Sequence, residues 1–128
     1  QEQGERPLFR SGDLSVDLVR RIVTVRGGEL KLTPREYDLL RLLIAHAGRV
    51  LTHKFIMREL WGAQGDVQYL RIYIRSLRQK IEAAPERPQH ILTERIFRKV
   101  FDNPDFSRRN AIAIEIENRD APPQRFQN

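Results

Sequence analysis

Arg71, Arg75 and Arg78 stand at intervals of four and three residues, the spacing that lines side chains along one side of an α-helix. A guanidinium is a planar fork of donors. It can bond O6 and N7 of guanine together, and it can clamp a phosphate. Gln68 extends the same row. Gln68 and Gln79 have the amide geometry that pairs with adenine, Ile72 offers a methyl surface to thymine, and Lys80 adds a further cation. No acidic residue lies between Val67 and Ile81. Residues of these types in this pattern suit the binding of a polyanion rather than the making or breaking of bonds.

The same stretch carries the means of positioning them. Leu70, Ile74, Leu77 and Ile81 recur at i, i+4, i+7 and i+11, so one face of a helix over residues 67–83 belongs to a core and the adjacent side is cationic. Asp66 is placed to cap this helix, and Pro85 and Pro88 to end it. Upstream, Thr33-Pro34-Arg35-Glu36 is a capping box. Tyr37, Leu40, Leu43, Ile44 and Ala47 follow at helical spacing, with Gly48 closing the helix. A second helix starts at Thr52, turns Phe55, Ile56 and Leu60 inward, and stops at Trp61-Gly62 before the loop Gly62-Ala63-Gln64-Gly65. These two helices mix charges, with Arg35, Glu36, Asp38 and Arg41 in the first and Lys54, Arg58 and Glu59 in the second. Solvated helix faces are usually laced with both signs. The acid-free third helix therefore favours a nucleic-acid partner over a merely solvated face.

Residues 8–32 read as a small antiparallel sheet. Leu14, Val16 and Leu18 alternate with polar residues, Ile22, Val23 and Val25 follow, and the Gly27-Gly28 pair predicts a tight hairpin with Leu30 and Leu32 on the returning strand. His90 to Thr93 reads as a further short strand. A β-hairpin followed by helix, helix, loop and basic helix is the layout of a helix-turn-helix derivative, whose third helix docks on DNA.

Composition narrows the remaining classes. The 128 residues are 40% hydrophobic and 31% charged, enough for one domain with some extra length. Lys and Arg number 23 against 17 Asp and Glu, giving +6 and a pI near 10.3, which suits a polyanionic partner. There is no cysteine, so disulfides, thiolate metal sites and cysteine nucleophiles are excluded. No apolar stretch approaches the roughly 18 residues of a membrane span. A cytoplasmic location is expected, with no membrane partner and no cofactor. His46, His53 and His90 are scattered, without metal or triad spacing, and no phosphate-binding glycine loop precedes a helix, so an enzyme is not expected. RNA recognition by aromatic side chains on a sheet face is disfavoured, because the aromatics fall at core or helix positions.

Several stretches in order resemble the effector domain of the OmpR/PhoB class of bacterial response regulators. They are Leu32 to Leu40, Gly48-Arg49-Val50-Leu51-Thr52, Glu59-Leu60-Trp61-Gly62, and the basic helix from Tyr69 to Ile81. The wording of that helix, with Arg87-Pro88-Gln89-His90, is most similar to regulators of a potassium-uptake operon. The resemblance implies an α+β winged helix-turn-helix, with an N-terminal antiparallel β-sheet, a three-helix core and here a C-terminal wing altered or replaced. It implies sequence-specific binding of double-stranded DNA by a transcriptional regulator of a two-component system, with residues 67–83 in the major groove. Arg71, Ile72 and Arg75 would face bases, and Gln68, Tyr73 and Arg78 the backbone or groove edge. Thr52 would offer helix N-terminal N–H groups to a phosphate. The loop of Trp61, Gly62, Ala63, Gln64, Gly65 and Asp66 would face RNA polymerase, although a lone tryptophan at a helix end is more often a core residue. Head-to-tail dimers on a direct-repeat operator are a further implication. Nothing in these residues could be the phosphorylatable receiver domain of that class, so the chain is expected to be an isolated effector or one without phosphorylation control. The alternative is a non-specific basic nucleic-acid-binding or protein-interaction module whose altered wing has lost operator binding.

The resemblance covers residues 8–94, with 1–7 as a linker remnant. Where the class has a Gly-x-Gly-Tyr wing, this chain has Glu94-Arg95-Ile96-Phe97-Arg98-Lys99, and Ile96 and Arg98 do not readily take positive φ. Residues 95–128 form an atypical C-terminal extension. It has a turn at Asp102-Asn103-Pro104-Asp105, a strand-like stretch at 111–117 and a loose tail around Ala121-Pro122-Pro123-Gln124. Ile112, Ile114 and Ile116, alternating with Ala113 and Glu115, are expected to add a strand to the sheet or to pair between two chains as an open edge.

Overall fold

The computed structural model describes residues 8–62, 65–104 and 110–115. Strands β1 (Leu8–Ser11), β2 (Leu14–Asp17), β3 (Ile22–Val25) and β4 (Gly28–Leu30) form an antiparallel meander in that order. Alternation places Phe9, Leu14, Val16, Val23 and Val25 on its buried face, and the register sets Val16 opposite both Phe9 and Val23. The β3–β4 turn falls one residue earlier than the glycine pair suggests. Arg26 and Gly27 carry the positive φ values, 50° and 81°, while Gly28 pairs with Val25 and opens β4. Positive φ at both central residues suits the strand twist of a two-residue hairpin. Arg26 is held there by three contacts: its N–H donates to Asp13 O at 3.1 Å, and its guanidinium donates to Ile81 O at 3.1 Å and lies 3.7 Å from Asp13 Oδ2.

Helix α1 (Pro34–Ala45) begins with the expected capping box. Thr33 Oγ1 accepts from Glu36 N at 3.2 Å, and Glu36 Oε1 accepts from Thr33 N at 2.9 Å. A short strand β5 (Val50–Leu51) leads to α2 (His53–Trp61), capped by Thr52, and Asp66 caps α3 (Val67–Ile81). Helix α3 ends at Ile81 rather than reaching residue 83, because Glu82 turns to extended backbone. Its buried carboxylate accepts from the N–H groups of Gln89, His90 and Ile91 at 2.7–3.1 Å, which folds the chain back into β6 (Ile91–Thr93). One core unites the inner face of the meander with Tyr37, Leu39, Leu40 and Leu43 of α1, Ile56 of α2 and Leu70, Ile74, Leu77 and Ile81 of α3.

Beyond Thr93 the structure departs from a three-helix winged domain. A fourth helix, α4 (Glu94–Phe101), stands where the wing hairpin would begin. Thr93 caps it, accepting from Ile96 N at 3.3 Å. Ile96, Phe97 and Val100 give it one apolar side, which packs on Leu92, Ala111 and Ala113. After it comes β7 (Ile112–Ile114), which runs parallel to both β5 and β6 and lies between them. Parallel neighbours require a crossover, and α4 supplies it between β6 and β7. Both edges of β7 are occupied, so the expectation that this strand pairs between two chains is not met. Ile112 and Ile114 enter the main core, while Ala113 faces the α4 cluster. Packing therefore does not stop at residue 94. Ile116 and the Pro122-Pro123 stretch lie outside the described residues, as does Asp105 of the expected turn.

Candidate nucleic-acid interface

Helix α3 advances by about 100° per residue, and that rotation sorts its cations. Arg78, four residues after Ile74, lies only about 40° round from that core residue. It is 4% exposed, and its guanidinium donates to Ile91 O at 2.8 Å. The expectation that Arg78 reaches a DNA backbone is corrected accordingly: this arginine ties α3 to β6. Arg71 lies about 60° from Ile74 and is half-buried, whereas Arg75, about 100° round, is exposed. Lys80 is also engaged inward, with Nζ 2.6 Å from Glu36 Oε1 and 3.2 Å from Lys31 O.

The outward stripe of α3 is Gln68, Ile72, Arg75 and Gln79, all exposed and spaced at four, three and four. Ile72 is 60% exposed and Tyr69 50%, so two large apolar side chains project from this side of the helix. Tyr73 is turned sideways onto Trp61, with ring centroids 5.7 Å apart. Trp61 itself packs against the core, and the Arg35 guanidinium lies 5.1 Å over its ring. Trp61 thus acts as the hub of an aromatic cluster that fixes the α2–α3 junction. Gly62 caps α2 with a φ of 72°, and a Cβ on Gly65 would come within 2.8 Å of Met57 Cε and 3.0 Å of Trp61 Cβ. Ala63 and Gln64 of this loop lie outside the described residues.

The stance of α3 is set by a joint of which the sequence reveals only the cap. Glu36, 3% exposed, accepts from Thr33 N and Lys80 Nζ through Oε1 and from Ser76 Oγ through Oε2. Burial alone would raise its pKa. The hydrogen bonds from Lys80, Ser76 and Thr33 and the charge of Lys80 together outweigh that burial, so the carboxyl is held below its ordinary value. At the other end of α3, His90 Nε2 lies 2.8 Å from Asp13 Oδ1, which links the loop before β6 to the β1–β2 turn.

Thr52, the candidate phosphate donor site, is exposed, and its Oγ1 accepts from Phe55 N at 3.1 Å. The next N–H, that of His53, already has an acceptor. It donates to Glu115 Oε1 at 3.1 Å, and His53 Nδ1 lies 2.8 Å from the same oxygen. The backbone and side-chain hydrogen bonds from His53 lower the Glu115 pKa. Among the described residues no group of three or more His, Cys, Asp and Glu could hold a metal ion, and no helix is long and apolar enough to cross a membrane.

Comparison with known proteins matches residues 27–97 to the family described as "Transcriptional regulatory protein, C terminal". The match ends inside α4, where the chain has left the hairpin pattern. Similar curated proteins include the KDP operon transcriptional regulatory protein KdpE of Escherichia coli (strain K12), 43% identical over 90 residues that cover 69% of this chain and 40% of that protein. The sensory transduction protein RegX3 of Mycobacterium tuberculosis (strain H37Rv) is 39% identical over the same length and shares. Among solved structures, the response regulator DrrB of Thermotoga maritima, an OmpR/PhoB homolog, superposes with a TM-score of 0.64 at 27% identity, covering 67% of this chain and 40% of that one. The DNA-binding domain of RstA from Klebsiella pneumoniae, in complex with the RstA box, gives 0.59 at 25% identity, covering 66% and 86%. The chain spans about two fifths of the length of the curated relatives it matches.

Proposed function

The chain belongs to the family of C-terminal domains of transcriptional regulatory proteins, and on that premise we propose that it binds double-stranded DNA sequence-specifically with α3 in the major groove. The observation that carries this reading is the outward stripe of α3. Gln68, Ile72, Arg75 and Gln79 present an amide, a methyl surface, a guanidinium fork and a second amide, with no acid along the helix. Each of these groups matches a base edge: amide to adenine, guanidinium to guanine, methyl to thymine. Arg71 flanks the stripe, and Tyr73 and Thr52 stand toward the backbone. The base contacts of Arg71, Ile72 and Arg75, and the groove-edge role of Gln68, belong to this proposal.

Likeness to KdpE favours an operator before a potassium-uptake operon, and likeness to response regulators favours an effector governed by a receiver domain and paired head to tail on a direct repeat. The loop from Trp61 to Asp66 is the surface for RNA polymerase on this reading.

Selection from a random duplex library, followed by titration of the enriched duplex and a scrambled one at 50 and 200 mM salt, tests the proposal. A working reader should prefer the enriched duplex by roughly 10³ or more, and each phosphate contact should add about 0.9 to the slope of log affinity against log salt. Equal affinity for both duplexes would leave only a basic coat and refute specific recognition.

A further inference from the structure

We propose that the outer face of α4 is a second contact surface for the DNA backbone, gripping phosphates while α3 reads bases. The inference rests on the DNA-binding reading above. Ile96, Phe97 and Val100 turn one side of α4 onto Leu92, Ala111 and Ala113. A rotation of about 100° per residue carries Arg95, Arg98 and Lys99 to the other side, and all three are exposed. Glu94 pairs with Arg98, whose side chain is still 76% exposed, and Asp102 ends the helix. Among the described residues, Arg95 and Lys99 have no acidic partner. They stand four residues apart on one stripe, where like charges destabilise a helix and an acid opposite a cation would support it. A phosphate lying along that stripe removes the repulsion.

The parallel sheet sets this stripe beside α2. Register aligns Leu51, Ile114 and Thr93 across β5, β7 and β6. Parallel strands share a C-terminal edge, and both α2, from His53, and α4, from Glu94, start at that edge. Their starts are two strand spacings apart, about 10 Å. Helix α2 packs on the main core and α4 on the other face of the sheet, so the edge between them carries a helix start on either side. In a helix-turn-helix, the helix before the recognition helix crosses the DNA backbone. Here that helix is α2, with Lys54 exposed in its first turn. A backbone crossing the start of α2 continues past the start of α4, where Arg95 and Arg98 project, with Lys99 one turn after Arg95. Duplex DNA carries one charge per roughly 1.7 Å of its axis, so several phosphates fall within reach of both helix starts. Long, flexible cations on a helix face of this kind neutralise phosphates and carry no base readout.

The test compares the full chain with R95Q/K99Q and with R10Q/R41Q, each first melted by circular dichroism to confirm folding. All four positions are exposed, and glutamine is a good helix former. Arg10 and Arg41 line the groove between β1 and α1, together with Asn110 at the opposite, N-terminal edge of β7, so the second variant loses two charges away from the proposed surface. R95Q/K99Q should bind the enriched and scrambled duplexes about 10- to 100-fold more weakly near 0.1 M salt, with a slope shallower by about 1.8 for two phosphate contacts. The ratio between the two duplexes should stay at its wild-type value, and R10Q/R41Q should keep the wild-type slope. Unchanged affinity and slope in R95Q/K99Q, or an equal loss in both variants, while wild type still prefers its enriched duplex, would overturn this proposal alone. If the double variant does not fold, K99Q by itself should lower the slope by about 0.9, and an unchanged slope there has the same consequence. Failure of wild type to bind any duplex would overturn the DNA-binding reading and this proposal with it.

Discussion

Replacing Glu36 with glutamine probes the joint between α1 and α3. The carboxylate is 3% exposed and accepts from a backbone N–H, a hydroxyl and an ammonium. Glutamine preserves the shape and one acceptor but removes the charge, and its NH2 faces donors on one side. Hydrogen bonds to a charged group contribute about 1.5–3 kcal/mol each where they are well formed. Lys80, still 34% exposed, regains part of its hydration when the pair is broken, which discounts its share. The capping interaction itself is worth about 1 kcal/mol and is partly retained. The expected net loss at pH 7 is about 2–3 kcal/mol, or roughly 7–11 °C in Tm for a domain of this size.

The pH dependence gives a sharper test. The folded-state pKa of Glu36 lies below its ordinary value of 4.5. Its stabilising contribution is therefore complete above about pH 5 and is lost as the pH falls through 4.5 toward the folded value. Urea melts of wild type and E36Q between about pH 7 and pH 3 should show a gap that narrows over this acid window. A gap that stays constant with pH, or the absence of any gap at neutral pH, would refute the argument that an ionised Glu36 holds α3 in place.

Two further substitutions separate contact from support on α3. Arg75→Ala should weaken binding of the enriched duplex by about 10- to 100-fold, corresponding to roughly 1–3 kcal/mol for one base contact, with little change in Tm. Arg78→Ala should lower stability by about 1.5–3 kcal/mol through the lost buried hydrogen bond to Ile91 O, seen in a denaturant melt without any DNA. A stable Arg78→Ala variant with impaired binding would reverse the assignment. Truncation after Thr93 removes Phe97, Ile112 and Ile114 from the two clusters. At about 1.5–3 kcal/mol for each buried side chain, that is comparable with the whole stability of a small domain, about 5–15 kcal/mol. Cooperative thermal unfolding should disappear, and a truncated chain that melts like the full one would show that β7 is dispensable.

Periodicity makes most of the core legible. The four apolar positions of α3, the capping box of α1 and the caps at Thr52 and Asp66 are local patterns, and each is found where its pattern lies. The tertiary partners are not legible. Arg78 shares a spacing with Arg71 and Arg75, and only the roughly 40° offset from Ile74 reveals that a long side chain there reaches β6 instead of solvent. Glu36 shows its capping role, but Ser76 and Lys80 approach it from 40 and 44 residues away. The α4 signal is present in outline, a threonine cap followed by Ile96, Phe97 and Val100, yet the family pattern of a glycine-turned wing points away from a helix at that place. The alternation at Ile112 and Ile114 marks a strand without revealing its position: a central parallel strand and an open edge share that pattern when the segment is this short.

Burial of Arg78 and engagement of Lys80 change what α3 contributes to binding. Four cations lie along this helix, but two of them serve its own packing, so its outer face is less positive than its composition implies. On the proposed reading Arg71 and Arg75 face bases, so α3 itself contributes little phosphate neutralisation. On that reading, a large salt slope must therefore come from other parts of the chain. Glu36 fixes the stance of α3, so on the proposed reading it governs how base-edge contacts are presented, separately from any contact with the DNA backbone. Sequence preference can survive in such a domain while overall affinity is low, because base-edge contacts set the ratio between duplexes and phosphate contacts set the level common to all of them.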